Sequence, residues 1–276
     1  MQKPHIHHIS DQTLSLTIRD LPQSLLITGE EGVGLGTIAA YIAHTVGGTV
    51  LTLLPVKDDK VDTEKGIITV KLIRQLYNDT RTIQTSKRVI VIDYAERMAT
   101  TAQNAFLKLL EEPGEGTYFI LATHTPSKLL PTIHSRAQVI EFRPLTRGQT
   151  DAYLDELEIK DASKRLQLMF MADGLPAELY RLANNNEYFE KSADIVRDAR
   201  DLLQTTTYVK LRVAQKYQND RESALKLILT TTHILRRSIS ENPQASLIAQ
   251  VDDLLLAYQQ IKANGNIRLC LARFVL

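Results

Sequence analysis

The chain has 276 residues, 43% of them hydrophobic and 24% charged, which is enough for two or three domains with their own cores and fits a soluble protein. A formal net charge of +1 gives no whole-molecule signature of nucleic-acid binding, no apolar run approaches the ~20 residues of a membrane span, and a single cysteine, Cys270, excludes an internal disulfide or a cysteine zinc site. Charge is mildly uneven: residues 191–276 carry 13 Lys+Arg against 8 Asp+Glu, scattered as on a solvated helical surface.

The opening MQKPHIHHIS has no apolar stretch of the signal-peptide kind, so a cytoplasmic protein is expected. His5, His7 and His8 have no cysteine partner nearby in the sequence and read as a surface cluster. The first element is a short apolar strand, Ser24 to Thr28, followed by GEEGVGLGT and the apolar segment IAAYIAH. Strand, glycine-rich turn and helix form the setting in which backbone N–H groups cradle phosphate, with Gly29, Gly32, Gly34 and Gly36 in the turn. The spacing from Gly29 to Gly34 fits a P-loop, but the chemistry departs from it. Leu35 stands where a lysine should reach the β- and γ-phosphates, and Gly36 where a hydroxyl should meet magnesium. Thr37 supplies a hydroxyl one residue late, and no lysine occurs between Lys3 and Lys57. Losing a charge-assisted bond worth ~1.5–3 kcal/mol weakens a triphosphate roughly ten- to a hundredfold, and Glu30 and Glu31 add negative charge. The same glycines also serve a loop whose only task is to turn the chain from strand to helix.

Gly47-Gly48 precedes a second predicted strand, Thr49 to Leu54, and the charged run Lys57 to Lys65 reads as a turn. A helix begins at Val70 with Ile73 and Leu76 inward, and Thr80 to Thr85 leads on. Val89 to Ile92 is an unbroken apolar run ending in Asp93, the pattern of a parallel strand buried on both faces. Ala102, Ala105, Phe106, Leu109 and Leu110 recur at helical period before Pro113-Gly114. A strand from Tyr118 to Ala122 ends in Thr123, Ser135-Arg136 lies in a loop, and Val139 to Phe142 makes another strand. This reading presents Asp93, Thr123 and Arg136 close together. His124 and His134 are expected to be exposed or hydrogen-bonded rather than basic catalysts.

After Pro144 the strand signals fade. Thr146 is placed to cap a helix to Leu157, Ala162 to Ala172 forms another that Asp173-Gly174 ends, and Pro176 opens a third. From Tyr188 the period is helical throughout, with stripes at Val196, Ala199 and Leu203, at Ala224 to Leu235, and at Leu247, Val251, Leu254, Leu255 and Tyr258. The fold class expected is α/β, a P-loop-type parallel-sheet core over residues 1–145, then a small helical domain over 146–187, the part the resemblance below makes a lid, and an all-α domain over 188–276.

The stretch IDYAERMATTAQNAFLKLLEEP, with LATHTPSKLLPTIHSRAQ after it, resembles bacterial clamp-loader subunits of the AAA+ superfamily. The closing NGNIRLCLARFVL is similar to that family's C-terminal pattern. The resemblance implies the same three-part layout, with the last part an oligomerising collar. It also implies that Asp93 retains the magnesium-associated carboxylate, that Tyr94 replaces the general-base glutamate, and that Ala177 replaces the lid's sensor arginine. Ala137 replaces the cysteine of the family's Ser-Arg-Cys motif, and the zinc cysteines common in these subunits are absent. Loss of these groups with retention of Ser135 and Arg136 is similar to the family's non-hydrolysing subunits. For those it implies no cofactor of their own, ATP and Mg2+ held by neighbours, and an arginine finger offered in trans. The implied partners are gamma/tau-like motor subunits, a delta-like subunit, the sliding clamp and, through the assembly, primer–template DNA. The subunit is then no enzyme by itself but part of a DNA-directed DNA polymerase complex. An active ATPase using Thr37, Asp93 and another cation, and a stand-alone DNA-binding module, are the competing readings.

Overall fold

The computed structural model describes residues 1–80, 87–204, 206–241 and 244–275. Most of the connection read at Thr80 to Thr85 therefore lies outside the described residues. The chain forms two compact units, Met1–Ala183 and Asn184–Leu276.

The first unit opens with helix α1 (His8–Arg19), then β1 (Ser24–Gly29), α2 (Leu35–Val46) and β2 (Thr49–Leu53). A small hairpin, β3 (Val56–Lys57) and β4 (Lys60–Val61), leads to α3 (Val70–Thr80), β5 (Arg88–Ile92), α4 (Thr100–Glu111), β6 (Thr117–Thr123), α5 (Pro131–His134) and β7 (Gln138–Phe142). Five strands join in the order β2-β5-β6-β1-β7, every pairing parallel. The unbroken apolar runs explain this arrangement. Leu25 to Ile27, Val89 to Ile92 and Phe119 to Ala122 are all buried, so each central strand needs helices on both faces. Leu25, Ile27, Val89, Val91 and Ile120 pack with α2 residues on one side, while Leu26, Ile90, Ile92, Phe119 and Leu121 pack with α3 and α4 residues on the other. The period-2 division of side chains between two cores fixes the register.

Three helices complete the unit: α6 (Arg147–Glu156), α7 (Ala162–Ala172) and α8 (Pro176–Asn184). Thr146 and Gln149 close a reciprocal capping box at the start of α6, and Asp173, at φ 46°, ends α7 in the left-handed region. The second unit is all helical: α9 (Asn186–Gln204), α10 (Thr207–Lys216), α11 (Arg221–Glu241), α12 (Ala245–Lys262) and α13 (Ile267–Val275). Its core gathers Ala199, Ala224, Leu227, Ile228, Leu235 and Leu254, together with Ile195, Leu202 and Ala257. Leu255, expected on the inner stripe of α12, is 37% exposed, because Ala257 and Ile261 take the inward positions with Leu254.

Two local expectations are corrected, and one helix not assigned from the sequence, α1, is added. Lys57–Lys65 contains a hairpin rather than a plain turn: Asp58 and Asp59 both adopt positive φ, 51° and 59°, which aspartate tolerates better than most residues, and their conformation lets Val56 pair with Val61. α1 carries no apolar stripe because two of its three buried residues are Ser10 and Thr17; Ser10 Oγ donates to the Glu141 carbonyl at 2.9 Å. The histidine cluster is only partly a surface one: His8 is exposed, and its ring lies 4.3 Å from that of His7. His7 is buried and caps α1, accepting the Ile9 amide at Nδ1, and His5 stacks on Tyr153, its ring centroid 3.7 Å away.

Candidate functional site

The carboxyl ends of β1, β5 and β6 meet at the point where strand order reverses, the usual place for a ligand in an open parallel sheet. Gly29 ends β1, Asp93 follows β5, and Thr123 ends β6, with Thr28 and Thr123 side by side in the register. These are the remnant nucleotide residues read from the sequence, and the fold brings them together with Gly32, Gly34, Gly36 and Thr37.

Their geometry differs from an open phosphate cradle. Val33 N donates to the Glu30 carbonyl, closing a turn in which Gly32 takes φ 94°. A side chain would strain that backbone. Val33 and Leu35 fold inward and are buried, so the position expected to carry a lysine is part of the core. A Cβ built on Gly36 would lie 2.7 Å from Asp93 Oδ2, so the carboxylate sits directly against the backbone where the hydroxyl residue would stand. Asp93 Oδ1 accepts the Tyr94 amide at 3.0 Å. Tyr94 itself holds a left-handed conformation, φ 53°, and its ring meets His124 edge-on at 5.8 Å. Burial raises the Tyr94 hydroxyl above its ordinary range, with Asp93 and Glu31 adding to the effect. His124 Nδ1 contacts the Gly29 carbonyl at 2.9 Å, and Thr123 Oγ1 accepts the Thr125 amide.

Helix α8 packs against the other side. The Gly32 carbonyl accepts the amides of Ala177 and Glu178 at 2.9 and 3.2 Å, so a loop carbonyl caps the start of α8. A cleft of about 460 Å³ remains beside Gly34, Thr37 and Ala177, and residues 2–5 line it. Within it His5 stacks on Tyr153 of α6 and pairs with Glu156 at 3.2 Å. Met1 lines an adjoining cleft with Gly36 and Asp93.

Burial raises the Asp93 carboxyl above the ordinary carboxylate range, with Glu96 adding to the effect and the Tyr94 amide and His124 opposing it. Stability from a raised acid is present below the unfolded value and lost as pH rises through the folded one. Asp93→Asn is therefore expected to raise the melting midpoint at pH 7 by about 1–4 °C, an advantage that disappears below about pH 4. Thermal melts across pH check this, and a lower midpoint for the variant at pH 7 contradicts it.

Arg136 does not join this group. It precedes β7, whose first residue, Gln138, pairs with Leu25 near the start of β1. The arginine thus stands at the amino ends of the strands, about 16 Å of strand length from the loop at their carboxyl ends. The sequence expectation of one shared cluster is corrected by strand polarity. Arg136 Nη1 donates to the Thr132 carbonyl at 3.1 Å, and Nη2 to Glu111 Oε1 at 2.7 Å. Ser135 Oγ donates to the same Thr132 carbonyl. His134 Nε2 contacts the Pro126 carbonyl at 2.9 Å.

Two residues not singled out from sequence hold this loop. Glu111 is one. The other is Gln103, 4% exposed: its amide nitrogen donates to the Met98 and Lys128 carbonyls, and its oxygen accepts the Leu130 amide at 2.8 Å. Gln103 lies three residues before Phe106 and seven before Leu110 on the buried face of α4, a polar residue in an apolar stripe, and that was its available signal.

Residues 55–146 match the family model described as DNA polymerase III, delta subunit. The DNA polymerase III subunit delta' of Bacillus subtilis is 34% identical over 116 residues, 42% of this chain. In sequence the chain is thus similar to DNA polymerase III and Replication factor C subunits. The matched part spans about a third of that bacterial relative, 34% of its length. A Replication factor C small subunit of Methanococcus maripaludis aligns over more of this chain, at 26% identity across 80% of it and 72% of the relative. Among solved structures, a DNA polymerase III gamma subunit-related protein of Thermotoga maritima superposes with TM-score 0.54 at 21% identity, covering 96% of both chains. RuvB of the same organism, the Holliday junction branch migration motor, superposes with TM-score 0.51 at 15% identity over 84% of this chain and 78% of RuvB. These structural likenesses concern the fold alone, a parallel α/β core followed by helices.

Proposed function

We propose that the chain is a delta-prime-type, non-hydrolysing subunit of a bacterial DNA polymerase III clamp loader, which lends Arg136 to ATP bound by its neighbour. The observation that carries this reading is the place of Arg136, exposed at the sheet edge on the end away from its own glycine loop. From there it serves a site on another molecule and cannot serve its own. The buried Leu35, the carboxylate against Gly36 and the lid helix capped by Gly32 support an idle loop. On this reading the chain needs no cofactor, Mg2+ and ATP belong to gamma/tau-like motor subunits, and a delta-like subunit completes the ring that acts on the sliding clamp and primed DNA. Residues 188–276 act as the collar that joins the subunits. Among the described residues no helix is long and apolar enough to cross a membrane, which accords with work in the cytoplasm.

Titrating the isolated chain with Mg-ATP in a calorimeter tests the idle loop. No binding is expected below about 1 mM, since both cation contacts are missing. Micromolar binding would favour the alternative, an active gamma/tau-like motor subunit.

A further inference from the structure

The guanidinium of Arg136 is not bare in this molecule. Nη1 is engaged by the Thr132 carbonyl and, at 3.4 Å, by Ser135 Oγ, while Nη2 reaches one oxygen of Glu111. Nε and the second hydrogen of Nη2 have no partner among the described residues, so the fork of five N–H groups keeps part of its capacity. Both side chains are open to water, 36% and 51% exposed. Such a pair is held together by about fivefold at most, and salt weakens it further. A phosphate that engages a guanidinium bidentately binds more strongly than one exposed carboxylate oxygen.

We propose that Glu111 is a positioning residue for Arg136: a resident counter-ion that holds the guanidinium extended on the surface until a phosphate of a neighbour's nucleoside triphosphate displaces it. This rests on the proposed trans role of Arg136. The Thr132 carbonyl keeps Nη1 anchored throughout, so the exchange moves one carboxylate and leaves the arginine in place. The neighbour's phosphate must compete with Glu111 for Nη2, and the carboxylate's charge opposes its approach. Removing that charge while keeping the side chain's size eases the competition.

The test is steady-state ATPase of the reconstituted assembly carrying wild-type chain, Glu111→Gln, Arg136→Ala or both. Glu111→Gln is expected to lower KM for ATP about two- to fivefold at low salt, with the effect on KM rather than kcat. The difference should shrink as salt approaches about 0.5 M. In the Arg136→Ala background Glu111→Gln should change nothing. A KM that is unchanged or raised by Glu111→Gln, or a drop that persists without Arg136, overturns the counter-ion assignment. A rate indifferent to Arg136→Ala overturns the trans role itself, whereas a rate that falls with Arg136→Ala while KM ignores Glu111→Gln overturns the counter-ion alone.

Discussion

Alanine at Arg136 is expected to slow ATP hydrolysis at the neighbouring site by about 10³–10⁵, the range an arginine finger contributes in well-studied NTPases. The assembly's total rate then falls to what its other sites supply. The isolated variant should melt within about 2 °C of wild type, because the pair it loses is solvent-exposed and worth about 1 kcal/mol at most. Single-turnover hydrolysis in the reconstituted complex, beside a melt of the lone chain, separates the two effects. A full rate with the variant in the ring would remove Arg136 from the catalytic account and leave it a surface arginine paired with Glu111.

Phe106→Ala is expected to have the largest effect on folding. The ring is fully buried and meets Phe119 edge-to-face, centroids 5.3 Å apart at 88°. Truncation removes its transfer energy, leaves a cavity and ends the aromatic contact, together about 3–5 kcal/mol. For a chain of this size the melting midpoint should drop by roughly 10 °C. Denaturant titration measures it, and a loss under about 1.5 kcal/mol would mean that α4 collapses onto the sheet far more readily than close packing allows.

Much of the α/β core could be read from the sequence because its central strands are buried on both faces. Val89 to Ile92 and Phe119 to Ala122 have no polar position to blur them. The departures at Leu35 and Gly36 were equally plain, since a P-loop demands specific atoms at fixed spacing, whereas Tyr94 was implied only by the family resemblance. What those residues do instead was not readable. Nothing in the sequence says that Leu35 enters the core, that Asp93 leans on Gly36, or that the Gly32 carbonyl caps α8. α1 escaped because Ser10 and Thr17 fill positions where a stripe would show apolar residues, and the Asp58-Asp59 hairpin because the turn uses aspartates where glycine is the usual signal. The partner of Arg136 escaped for another reason: Glu111 is 25 residues away along the chain, and only the fold brings them together. The misplacement of Arg136 was avoidable, since a loop that enters a parallel strand must lie at the end opposite the loops that leave its neighbours.

The two attachments of α4 have a mechanical consequence. Gln103 fastens its first turn to Lys128 and Leu130, Glu111 ties its last residue to Arg136, and Phe106 seats its middle on the sheet. Helix and return segment thus form a braced truss, with one joint buried and the other wet. The wet joint can let go and re-form while the frame keeps its shape.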